Sequence, residues 1–101
     1  MDKVIECLAS GKDDPTVRLS REEIGSYLEY PNPRASIAGI HLRYEQELVD
    51  YCETAYIRDG LRLRDAKFYT PRGVFEICRH STKPKADEFF KKFLNALEGK
   101  Q

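Results

Sequence analysis

The chain is 101 residues long, 41% hydrophobic and 34% charged, with 17 basic and 17 acidic side chains and a formal net charge of zero. That length supports one hydrophobic core, so a single domain is expected over residues 1–101, and no apolar run approaches the ~18 residues of a membrane-spanning helix. Zero net charge hides an asymmetry: residues 1–30 carry four Lys/Arg against seven Asp/Glu, whereas residues 54–85 carry eight bases against three acids, a separation that permits a nucleic-acid face.

In chain order, Val4, Ile5 and Leu8 fall at helical spacing within residues 2–10, a stretch that Gly11 ends. Thr16–Leu19 reads as a short extended piece. Ser20 and Glu23 form a capping box, in which each side chain takes an N–H that the helix start leaves free. The helix predicted over 21–29 sets Ile24, Tyr27 and Leu28 on one face, and Pro31 stops it. Asn32 suits an N-cap and Pro33 the first turn of a second helix, predicted over 33–48. Its apolar stripe is Ile37, Ile40, Tyr44 and Leu48. Ala35, Gly39, Leu42, Arg43 and Gln46 fall on the opposite face. Two helices joined by so short a turn resemble a helix-turn-helix in outline.

From residue 55 to 70 the helical period is lost. Asp59-Gly60 is a turn signal between two extended runs, so a hairpin is predicted there. Strand alternation puts Arg62 and Arg64 on one face. Thr70-Pro71 again reads as a cap and a first turn, opening a helix over 71–79 that packs Val74, Phe75, Ile77 and Cys78. A final helix over 84–98 offers Ala86, Phe89, Phe90, Phe93, Leu94 and Leu97 as its core face, with Gly99 as its stop. The fold class is therefore α+β: a small helical domain with a helix-turn-helix-like pair and one short β-hairpin.

Chemistry-bearing patterns are sparse. Cys7, Cys52 and Cys78 stand far apart with no C-x-x-C, as in reduced cytosolic thiols, and Cys78 reads as a buried small hydrophobe. His41 and His80 are 39 positions apart without paired cysteines, so no metal site is expected. His41 reads as a boundary histidine with a hydrogen-bond partner. No glycine-rich phosphate loop or cofactor motif occurs, and no nucleophile–base pair is legible, so an enzyme is not expected.

The stretch Gly73-Val74-Phe75-Glu76-Ile77-Cys78-Arg79-His80-Ser81, continuing through Pro84 and Ala86 to Phe89, resembles the pattern G-(L/I/V)-(Y/F)-x-(L/I)-x-x-x-S-x-x-P-x-A-x-x-F of the Bro-N family. These are the N-terminal domains of phage antirepressors and of baculovirus repeated-ORF proteins. Upstream, Leu28-Glu29-Tyr30-Pro31-Asn32-Pro33-Arg34-Ala35-Ser36-Ile37 resembles the family's L-G-Y-x-N-P-x-x-A-I, with Glu29 where the family has glycine and Ser36 where it has alanine. The two motifs are in family order, and the likeness covers about residues 17–98. The resemblance implies a DNA-binding domain that precedes a C-terminal effector domain in a longer phage or prophage transcriptional regulator, working in the cytoplasm of a bacterial host cell.

The residues themselves suggest where DNA would be met. The second helix start brings Asn32 and Arg34, its polar face Arg43, and the ribbon Arg58, Arg62, Arg64 and Lys67. The alternative is a protein-interaction module that binds a repressor or self-associates as a homodimer without touching DNA. An outward Leu42 would favour it.

Overall fold

The capping box sets the first tertiary landmark. In the computed structural model, which describes residues 1–99, Glu23 N–H donates to Ser20 Oγ at 3.2 Å and Ser20 N–H donates to Glu23 Oε1 at 3.0 Å. Residues 100 and 101 of the expected domain lie outside the described residues. The elements are α1 (Asp2–Ala9), β1 (Leu19–Ser20), α2 (Arg21–Tyr27), α3 (Pro33–Arg43), α4 (Glu45–Leu48), a 3-10 turn (Val49–Tyr51), β2 (Cys52–Asp59), β3 (Arg62–Tyr69), α5 (Pro71–Arg79) and α6 (Pro84–Glu98). Among the described residues the fold is α+β, with six helices and one three-stranded antiparallel sheet of order β1-β3-β2.

α2 stops two residues before its predicted end. Tyr30 N–H donates to the Gly25 carbonyl (3.0 Å) and Glu29 N–H to that of Ser26 (3.1 Å), the Schellman closure that satisfies the last free carbonyls of a helix. It requires a left-handed residue, and Glu29 takes that role with φ +66°. The backbone is thus the one a glycine would adopt, held by a side chain that disfavours it. The turn brings α3 hard against α2: a Cβ on Gly25 would lie 2.5 Å from the Pro33 Cα.

α3 begins at Asn32, but the Asn32 side chain caps nothing. Its carbonyl accepts from Ser36 N–H at 2.9 Å instead. The helix predicted to reach residue 48 breaks at Tyr44 (φ −122°, ψ 35°). The break lets the Tyr44 ring stack on His80, with centroids 3.6 Å apart and planes within 7°. Leu48 still reaches the core and is fully buried.

β2 and β3 pair along their whole length, from Cys52↔Tyr69 to Asp59↔Arg62, so the hairpin starts three residues before its predicted beginning. Gly60 and Leu61 make the two-residue loop, and Gly60 supplies the positive φ (+66°) that such a loop needs at its first position. β1 flanks β3 only at Tyr69 and Phe68. Beyond them the ribbon is a two-stranded arm whose tip, Leu61, is fully exposed, in a molecule with extents of 50 × 26 × 26 Å. The arm's base is clasped by Thr70, whose N–H donates to the Tyr51 carbonyl at 2.9 Å and whose hydroxyl lies 3.1 Å from Asp13 Oδ2 and 3.3 Å from that carbonyl.

The core is built from Val4 and Ile5 of α1, Ile24 and Leu28, Ile37, Ile40 and Leu48, Tyr69, and Val74, Ile77, Cys78, Ala86 and Phe89 of the last two helices. The apolar face predicted for α6 is narrower than expected. Phe90 and Phe93 are half-buried, meeting Phe75 edge-on at 5.3 and 5.7 Å, and Leu94 and Leu97 are exposed. Leu94 is one step, about 100°, around the helix from Phe93, and Leu97 lies in the last turn. No helix among the described residues is long and apolar enough to cross a membrane.

Candidate nucleic-acid interface

β3 has a neighbour beyond its outer edge only at its last two residues. Along the open remainder of that edge lies a cleft closed on its far side by the starts of α2 and α3. Because the cleft follows an edge and not a face, side chains of both strand faces line it. Arg64 and Lys67 enter from the strand, Arg34 from the start of α3 and Arg21 from the start of α2. Glu22, Glu23 and Asp65 share the lining, so the four cations outnumber the acids by one. Asn32 borders an adjoining hollow together with Arg21 and Arg34.

These cations differ in how they are held. Lys67 Nζ donates to Thr54 Oγ1 across the ribbon at 2.5 Å. Arg64 Nε is buried without a hydrogen-bond partner, its nearest carboxylate being Asp59 at 3.9 Å. That is an ion-pair distance too long for a hydrogen bond. Arg21 is fixed from below. Its Nε donates to the Tyr69 hydroxyl at 2.9 Å, and that hydroxyl lies 2.7 Å from His41 Nδ1. The arrangement that serves all three has Arg21 donating to the phenol oxygen and the phenol donating to a neutral imidazole. Burial, followed by the charges of Arg21 and Lys67, holds His41 below its ordinary pKa against a pull from Glu45. Burial also raises the Tyr69 phenol, with Arg21 opposing. Both groups therefore stay neutral near pH 7, and they position Arg21 without adding charge beneath the cleft.

Three of the residues singled out in the sequence, Arg34, Arg64 and Lys67, thus meet in one place, with Asn32 beside them. The other three do not. Arg58 and Arg62 belong to the far end of the arm, one on each face, because Arg58 pairs with Leu63 while Arg62 pairs with Asp59. Arg62 and Arg64 do share a face, as strand alternation predicts. Arg43 lies at the opposite end of α3, about 14 Å along its axis from Arg34, beside Tyr44 and Glu45. Sequence reasoning misses Arg21: it follows a capping serine, a place that reads as ordinary helix surface, and only the pairing of Ser20 with Phe68 sets it beside β3.

A second polar cluster joins α4 to α5. Glu47, Glu76 and His80 present ligand atoms within 4.8 Å of one another. A cation already sits among them: Arg79 lies 2.9 Å from both Glu47 and Glu76, Arg72 approaches Glu76 at 3.5 Å, and His80 Nε2 meets Glu47 at 2.7 Å. The guanidinium supplies the charge compensation that a buried Glu76 requires. Cys78 is buried, and burial pushes its thiol up to about 12, as a core residue and not a nucleophile would have it.

The residues of the two resembling motifs also meet. The Tyr30 hydroxyl and Ser81 Oγ are 2.8 Å apart, and Lys83 Nζ lies 5.1 Å from the centre of the Tyr30 ring. No family model, curated protein or solved structure matches the chain.

Proposed function

We propose that this chain is a DNA-binding module, of the kind that serves antirepressor-type regulators in the cytoplasm of a phage-infected or lysogenic bacterium. One observation carries the reading: Arg21, Arg34, Arg64 and Lys67 converge on a cleft beside a protruding two-stranded ribbon. Guanidinium groups bind phosphate oxygens with paired donors, and a two-stranded ribbon is narrow enough to enter a DNA groove. The Tyr30–Ser81 hydrogen bond adds support for the family resemblance, since it gives the two motifs a shared structural task. With the acids of the cleft nearly balancing its cations, affinity would rest on matched geometry more than on bulk charge.

The test is duplex binding measured against salt concentration, for the wild type and for Arg34→Glu/Arg64→Glu. Every phosphate that the variant no longer neutralises should flatten the logarithmic salt slope by about one. Unchanged affinity and slope in the folded variant would overturn the reading.

A second reading, a module that binds a repressor protein or a second copy, draws on Leu42 and Val49, which are 77% and 59% exposed. It predicts a complex whose formation depends on Leu42 and is indifferent to Arg34 and Arg64.

A further inference from the structure

The ribbon's far end carries a side chain that neither the cleft nor the core uses. Leu61 is 100% exposed at the tip, and behind it on one face stand Leu63 and Tyr56, at 65% and 73%. These are three of the seven large hydrophobics exposed among the described residues, gathered on the arm when scatter over the surface is the ordinary pattern. Nearest the tip the flanking charge is mainly positive: Arg58 pairs across the strands with Leu63, and Arg62 follows the tip directly, while the acid Asp65 stands farther back, opposite Tyr56. Asp59 is the one acid near the loop, and it faces Arg62 across the ribbon.

From this arrangement we infer that Leu61 is a wedge for duplex DNA, entering a base step from the minor groove while Arg58 and Arg62 hold the phosphates on either side. The inference rests on the DNA-binding reading and names how the duplex would be deformed. An apolar tip has nothing to pair with on the minor-groove floor, whose edges offer only hydrogen-bonding groups. It gains a partner only where two base pairs separate, which is how apolar wedges kink DNA away from the groove they enter. Arginine suits the flanks because the narrow minor groove concentrates negative potential. The arm has the reach: Leu61 stands about 26 Å along the strand from Tyr69 at its root. It can therefore probe a step removed from the phosphates held at the cleft. Flexible pyrimidine–purine steps would be the favoured entry points, giving selectivity by deformability and not by base contacts.

The experiment uses the full chain and a duplex of about 30 base pairs with central TA steps. It carries a donor and acceptor dye at its ends and 2-aminopurine at the central step. Wild type should raise the 2-aminopurine emission and shorten the end-to-end distance, as a bend of roughly 20–90° does. Leu61→Ser, a change at a side chain that packs on nothing, should keep the salt slope and lose both signals. Salt-dependent binding without either signal, or equal bending by Leu61→Ser, would overturn the wedge and leave the DNA-binding reading standing. Absence of any duplex binding by wild type would overturn that reading and the wedge with it. A wild-type mass twice that of Leu61→Ser in solution would assign the tip to contact between two copies and overturn the wedge.

Discussion

The helical body and the ribbon arm solve opposite problems with the same strand. Tyr69, at the root of β3, is fully buried and hydrogen-bonded to two helices; Leu63, six residues along, is 65% exposed. The body's side chains are constrained by what surrounds them, whereas those toward the arm's tip are exposed and placed mainly by strand register. A residue's contribution should therefore move from stability to binding with distance from that root, although its secondary structure is unchanged.

The sharpest way to break this comparison is to truncate one apolar side chain in each region. Phe89→Ala, which opens a cavity among fully buried residues, should cost about 3–5 kcal/mol in denaturant melts. Leu63→Ala should cost no more than about 0.5 kcal/mol. Similar costs in the two would show that the arm is packed against the body in solution. Phe93→Ala should fall between them, because its ring is half-buried against Phe75.

Smaller effects refine the account of the body. Gly25→Ala places a methyl group against the Pro33 backbone and should cost about 1–3 kcal/mol, since neither helix can yield cheaply. A neutral result would mean that α2 and α3 are less closely joined. Glu29→Gly should act the other way. It relieves a left-handed φ of +66° on a residue with a Cβ and should raise stability by about 1 kcal/mol. A lower denaturation midpoint would show that the Glu29 side chain has a compensating role.

A single-proton effect tests the link between the two regions. His41 is harder to protonate when folded than when unfolded, so below about pH 6.5 the unfolded chain takes up more protons. Stability is fully present above that value and declines as pH falls toward the folded value. Melts of the wild type should therefore lose midpoint on acidification more steeply than those of His41→Gln. Parallel curves would mean that the imidazole is not desolvated and that Arg21 is held by other means.

Much of this division is legible in the chain. The capping box at Ser20, the proline starts at 33, 71 and 84, and the Asp59-Gly60 turn each depend on neighbours within a few residues, and each falls where the sequence puts it. What escapes depends on distant partners. Nothing near Tyr44 breaks a helix; its stacking partner is His80, 36 positions later. Arg21 joins the cleft because the preceding Ser20 pairs with Phe68, 48 positions later. Leu94 and Leu97 match the apolar period of α6, but periodicity cannot say how far along a helix its neighbours extend. The charge run over 54–85 reads as one patch, yet strand alternation and the length of the arm distribute its arginines over two faces and two ends.

The clasp at the arm's base has a consequence for how such a chain can vary. Thr70 closes directly onto Tyr51, so everything between them is an excursion that leaves and re-enters the body at one point. Adding or removing a pair of residues on each strand near the tip would preserve which side chains share a face and would alter loop-closure entropy only slightly. The body's packing would be indifferent to the change, while the distance spanned from root to tip would shift by about 7 Å per step. Reach is thus a property this architecture can tune on its own, and related chains can be expected to differ in arm length before they differ in core.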